Sequence, residues 1–134
     1  MIPESIKLTK YIRKFFIDNE DLQKLVPPTS IFPLIANTNS KFPYIVMQRT
    51  GVRPSYSKGG IIEDSVTMEV IAVSNDYSNS IDIAQEIRKT LDGKRYRGDD
   101  ILIDDIEIDG ITEEFIDNAY LQRISFAMQV RAVQ

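Results

Sequence analysis

The chain has 134 residues, 43% hydrophobic and 27% charged, and its 20 acids against 16 bases leave a net charge of -4. That size supports one core and a single domain spanning 1-134, and the acidic balance is poor footing for a protein whose task is gripping phosphates. Cysteine and histidine are both absent, which excludes disulfides, thiolate chemistry, zinc sites of the usual ligand types and imidazole acid-base catalysis.

The first residues mix acid and base without a long apolar run, unlike a signal peptide, and no later run approaches the roughly 20 apolar residues of a membrane span. A cytoplasm-like compartment is expected. Pro3 and Glu4 suit a first helical turn. Leu8, Ile12, Phe15 and Phe16 then recur at helical spacing, with Lys7, Lys10, Arg13 and Lys14 on other faces, which predicts an amphipathic helix docking on a core. A second short turn over Asp21 to Val26 is stopped by Pro27-Pro28, and Ser30 to Leu34 reads as a short extended piece. Asn37 to Lys41 reads as loop.

Pro43 to Gln48 is rich in β-formers and predicts a strand. The following RTGVRPSYSKGG, Arg49 to Gly60, carries three glycines, a proline and three bases with few apolar anchors, and reads as a long mobile loop between strands. From Ile61 to Val73 a long strand is expected, with Val66, Met68, Val70 and Ala72 on one face and its second half buried on both. Asp76 to Ser80 supplies helix-start residues. Ile81, Ile83, Ala84, Ile87 and Leu91 make the apolar stripe of a second amphipathic helix ending at Asp92-Gly93.

Ile101 to Ile108 predicts a further strand, irregular because its apolar spacing slips phase around Asp104-Asp105. Ala119 to Ala132 predicts a half-buried strand, with Tyr120, Ile124, Phe126, Met128 and Val130 on one face and Arg123, Ser125, Gln129 and Arg131 on the other. Together these elements predict an α+β fold. It has a mostly antiparallel sheet of about four main strands, two amphipathic helices packed on one face and a long inter-strand loop.

Four stretches invite a chemical reading, each beside a plainer one. Ser74 to Ser80 turns from strand to helix but contains no glycine, so it reads as a helix cap and not as a phosphate cradle. Asp105, Glu107 and Asp109 before Gly110 mimic half of a calcium loop, but Ile116 stands where the bidentate glutamate belongs, and the alternating isoleucines also fit a strand with a solvated acidic face. Ser55 to Lys58 has the spacing of a serine-lysine acyl enzyme, yet Gly59-Gly60 argue against the helix that chemistry needs. Lys94 to Arg97, and Arg49, Arg53 and Lys58, form basic patches able to meet nucleic acid or an acidic protein surface, with solvated turn residues the favoured reading. No catalytic residue, cofactor or metal is expected.

The order of segments carries more. An amphipathic N-terminal helix, the Ile31-Phe32-Pro33 element, a polar spacer and Phe42-Pro43-Tyr44-Ile45-Val46-Met47 are followed by the long loop and Val66 to Val73. The Ile81 to Leu91 helix, I-x-x-A-x-x-I-R-x-x-L in outline from its first apolar residues, and a closing Tyr120-Leu-Gln-Arg-Ile-Ser-Phe126 complete the series. Over nearly the whole chain this resembles the tail terminator, or tail completion, proteins of long-tailed bacteriophages and prophages. The resemblance implies a non-enzymatic role in head-tail joining. Copies would form a ring, commonly a hexamer, that ends the tail tube and meets the head connector proteins. It also implies assembly in the host bacterial cytoplasm, residence in the virion tail, and DNA only as passing cargo.

A ring needs edges or faces buried between subunits. The candidate contacts are the loop residues Arg49, Arg53, Tyr56 and Lys58 and the strand residues Arg123, Ser125, Gln129 and Arg131. The alternatives are a small nucleic-acid-binding module using the basic loop and turn, and a cytoplasmic ligand-binding or enzymatic domain with a preformed pocket.

Overall fold

A computed structural model describes residues 2–36, 41–56, 59–60 and 62–133. After a 3-10 turn at Ser5–Lys7, α1 (Leu8–Ile17) buries the predicted stripe of Leu8, Ile12, Phe15 and Phe16. The short α2 (Glu20–Gln23) is capped by Asn19, whose side-chain oxygen accepts from the backbone N–H of Asp21 and Leu22. Its amide also donates to Thr90 Oγ1 at 2.7 Å, so one side chain caps a helix and ties it to the next. A second 3-10 turn, Pro28–Ser30, leads into β1 (Ile31–Pro33).

The remaining elements are β2 (Tyr44–Tyr56), β3 (Ile62–Ser74), α3 (Tyr77–Leu91), β4 (Tyr96–Arg97), β5 (Leu102–Ile116) and β6 (Ala119–Arg131). The strands form one sheet in the order β1-β2-β3-β6-β5-β4, with β1 parallel to β2 and every other pair antiparallel. The result is a mixed α+β fold, but with six strands and three α-helices among the described residues where about four and two were expected. No helix among them is long and apolar enough to cross a membrane.

The core lies between the sheet and the helices. Val66, Met68, Val70 and Ala72 of β3 and Ile124, Phe126, Met128 and Val130 of β6 face Phe16 of α1 and Ile83, Ile87 and Leu91 of α3. One helical position departs from the reading: Ile81 is exposed, and Ser80 takes the buried place at that end of α3. Ser80 satisfies itself there by donating to the carbonyl of Tyr77 at 2.7 Å, which is why a hydroxyl is tolerated in an apolar stripe.

The largest correction concerns Arg49 to Gly60. Through Tyr56 it is strand, paired residue by residue with β3 out to Tyr56 opposite Ile62, with one bulge between Arg49 and Gly51. Its glycine and proline content concealed this because the arm projects past the helices and buries little, so the strand is held by its hydrogen-bond ladder and lacks the apolar alternation that signals one. At the bulge Gly51 admits Thr67, whose Oγ1 would lie 3.2 Å from a β-carbon built there.

Likewise β5 does not stop at Ile108 but runs to Ile116. The expected phase slip is present as a register shift between Ile103 and Ile106, and a second falls between Ile108 and Gly110. The hairpin to β6 closes through Asp117 and Asn118, both left-handed at φ of 52° and 62°, the conformation of a two-residue type I′ turn.

Candidate functional site

The sheet places its two hairpin tips at opposite ends of β3, a strand about 40 Å long. At one end is the tip between Tyr56 and Ile62, and at the other the Asp117-Asn118 turn, because β6 begins opposite Ser74 and ends opposite Glu63. Of the predicted contact residues, the seven that are described divide between the β2 arm and the outer sheet face.

Of the loop set, Arg49 sits on the helix-bearing face and donates from Nη1 to the carbonyl of Ile6 at 2.8 Å. Arg53 is exposed opposite Ser65, and Tyr56 is 74% exposed at the strand end. Lys58, and with it the serine-lysine spacing, lies outside the described residues. Beside the arm, Ile2, Ile6, Val52, Pro54, Tyr56 and Ile62 line a depression of about 550 Å³. At its margin buried Asp64 accepts a hydrogen bond from Ser5 Oγ at 2.6 Å.

The strand set shares one face of β6, as read, but is already partnered within the chain. Arg123 donates to Glu114 from Nε at 2.6 Å and to Glu69 from Nη1 at 3.1 Å, joining three neighbouring strands. Arg131 makes a two-pronged contact with Asp104, at 2.9 Å from Nε and 2.7 Å from Nη2. In both residues the hydrogen-bonded carboxylate is the main reason the guanidinium pKa is held above its usual value. Gln129 accepts from Ser65 Oγ at 2.9 Å, and Ser125 lies opposite Glu69 and Gly110. Since β6 is paired on both sides, it offers a neighbour this face and not an edge.

The second basic patch is divided by the backbone. Tyr96 turns inward, packing edge-on against Phe15 with ring centroids 5.0 Å apart, and Lys94 sits 4.4 Å above the same ring. Arg95 and Arg97 remain exposed. The one aromatic of the patch is therefore occupied in packing and not displayed for stacking on bases.

Ser74 to Ser80 is a cap. Asp76 accepts from the backbone N–H of Asn79 at 3.0 Å, while Ser74 Oγ bonds Asn79 Oδ1 at 2.8 Å and accepts from Asp76 N–H. The carboxylates of the half calcium motif are strung along β5 instead of folded around a loop.

Two features had no sequence signal. Tyr11 donates to Asp100, with Lys7 alongside, and this hydrogen bond chiefly pushes the Tyr11 pKa up to about 12 and the Asp100 carboxyl below its ordinary range. Near the Asp117 turn, Glu113 accepts from Gln122 Nε2 at 3.0 Å and from the Tyr77 hydroxyl at 3.0 Å, which lower its pKa in that order. Beside it Tyr120 packs against Phe115 at a tilt and edge-on against Tyr77, with centroid spacings of 4.7 and 5.4 Å. Partners 89 positions apart, such as Tyr11 and Asp100, are brought together only by the tertiary fold.

No protein-family model matches this sequence, and no curated protein does. Among solved structures, a chain in the "Virion of native gene transfer agent (GTA) particle" is similar at a TM-score of 0.71 and 10% identity, over 90% of this chain and 90% of that one. At that identity the likeness is one of fold, and it extends across nearly the whole of both chains.

Proposed function

We propose that this chain is a structural component of a phage-like particle, and within that class a tail terminator: a ring that ends the tail tube and joins it to the head connector. The observation carrying this reading is the fold shared with a virion chain over 90% of both molecules. Two partly open strands of opposite charge, β2 and β5, support a chain that completes itself through neighbours. The role is structural and not catalytic, with other copies, the tail tube protein and the connector as partners and DNA as passing cargo. Assembly takes place in the host cytoplasm and the product resides in the virion tail.

Negative-stain microscopy of the purified protein, alone and mixed with tail tubes, tests it. Rings, free or seated on tube ends, are the expected result. A protein that stays monomeric and ignores tube ends, yet shifts DNA in a salt-dependent way, would transfer the assignment to a nucleic-acid module built on Arg49, Arg53, Arg95 and Arg97.

A further inference from the structure

Among the described residues, β1 covers β2 only at Ile45 to Met47, and β4 covers β5 only at Leu102 and Ile103. Beyond these pairs, and beyond the Ile106 carbonyl, which accepts from Gly93 N–H at 2.9 Å, β2 is open toward Tyr56 and β5 toward Ile116, on opposite sides of the sheet. Three antiparallel steps separate β2 from β5, so the two strands run in opposite directions. A second copy in the same orientation, displaced about eight residues along the strands so that its open β5 half clears β1 and meets the open β2 half, therefore brings β5 against β2 as an antiparallel pair.

The charges on these edges are complementary. β2 carries Arg49 and Arg53 and no acid, whereas β5 carries Asp104, Asp105, Glu107, Asp109, Glu113 and Glu114 and no base. Among the described residues, internal ion pairs engage Asp104 and Glu114 of that series. Joining β5 to β5 would oppose carboxylates with carboxylates, and joining β2 to β2 would oppose arginines. Only β2 with β5 brings unlike charges together.

The exposed apolar side chains agree. Val52 and Tyr56, 37% and 74% exposed, stand opposite Val66 and Ile62 on the helix-bearing face. Ile111 and Phe115, 42% and 57% exposed, stand opposite Ile124 and Tyr120 on that same face. In that displaced alignment Phe115 comes beside Val52 and Ile111 beside Tyr56, out of water.

We infer that the β2 arm of one copy adds to the β5 edge of the next, so that the sheet runs on from subunit to subunit. The contact uses two different edges and so repeats around a ring. This rests on the ring-forming role proposed above and names the surfaces that would carry it.

Charge exchange tests it. Arg53→Glu with Ser55→Glu makes one variant and Asp109→Lys with Glu113→Lys the other, all four positions being exposed. Each variant alone should remain monomeric in sizing chromatography with an unchanged far-UV spectrum, while an equimolar mixture should regain assembly, because every contact in an alternating ring is again between unlike charges. Variants that assemble singly as the parent does, or a mixture that stays monomeric, would overturn the inference.

The chain has no cysteine, so Val52→Cys with Phe115→Cys gives a second readout with a bismaleimide. A ladder of multimers is expected only when both cysteines are present. Covalent dimers from either single cysteine would mean like edges meet and would overturn the pairing. Rings by microscopy without a ladder would overturn this contact and leave the ring standing, whereas neither rings nor ladder would overturn both.

Discussion

Phe16 and Phe126 are the bulkiest fully buried side chains, and each fills the gap between the sheet and a helix. Truncating Phe16 to alanine leaves a cavity that neighbours in α1 and β6 close only in part, so a loss of about 3–5 kcal/mol is expected by urea unfolding. The bond between Tyr11 and Asp100 makes a pH-dependent prediction. The Tyr11 pKa is raised from 10.0 to about 12, so the fold favours the protonated phenol, and that contribution is full below pH 10 and lost as pH climbs toward 12. The Asp100 pKa is lowered from its ordinary 3.8, so its contribution is present above that value and lost as pH falls further. Against Tyr11→Phe, the parent should therefore show a higher unfolding midpoint at neutral pH, with the difference narrowing at both extremes. A difference constant from pH 3 to 12 would show that the hydroxyl acts by packing alone.

Among elements, the β5–β6 hairpin depends on its turn. Asn118 holds φ of 62°, where a β-carbon costs roughly 1–2 kcal/mol unless the side chain can bond locally as asparagine does. Asn118→Ala should lose about 1 kcal/mol, and Asn118→Gly should match the parent or exceed it, by the same urea titration. The elements legible in the sequence are those whose burial imposes a period: α1 through Leu8, Ile12, Phe15 and Phe16, and β3 and β6 through alternate apolar residues. The second halves of β2 and β5 were not legible, because an open edge beyond the helices buries too little to alternate. The two-pronged grip of Arg131 on Asp104 was equally hidden, since it depends on how β5 and β6 align and two register shifts intervene. Ile81 misled for a related reason: hydrophobicity placed it in the stripe, while helical geometry gave that place to Ser80.

For the whole molecule, the separation of charge between opposite edges makes assembly sensitive to ionic strength. Unlike charges meeting at a partly exposed seam are screened within about 8 Å at physiological salt and about 3 Å at 1 M. The proposed rings should accordingly weaken as salt rises, with the monomer fraction in sedimentation velocity increasing between low salt and 1 M. The unfolding midpoint should move much less, because the apolar core carries the fold. Rings that tighten with salt would indicate that the Val52, Tyr56, Ile111 and Phe115 contacts outweigh the charges. The depression beside Ile2 and Ile6 adds apolar surface at the same end of the sheet, so a neighbour reaching over the arm has more than the edge to cover.

Arg123 joins three strands through Glu69 and Glu114, and this gives it a part in deciding which alignment of the sheet is allowed at all. If β6 slid by one residue, its guanidinium would swing under α3 and lose its hydration among aliphatic side chains. A slide by two would keep it in water but set it opposite only one of its carboxylates, Glu69 in one direction and Glu114 in the other. The native alignment alone therefore lets this one arginine hold both neighbouring strands at once.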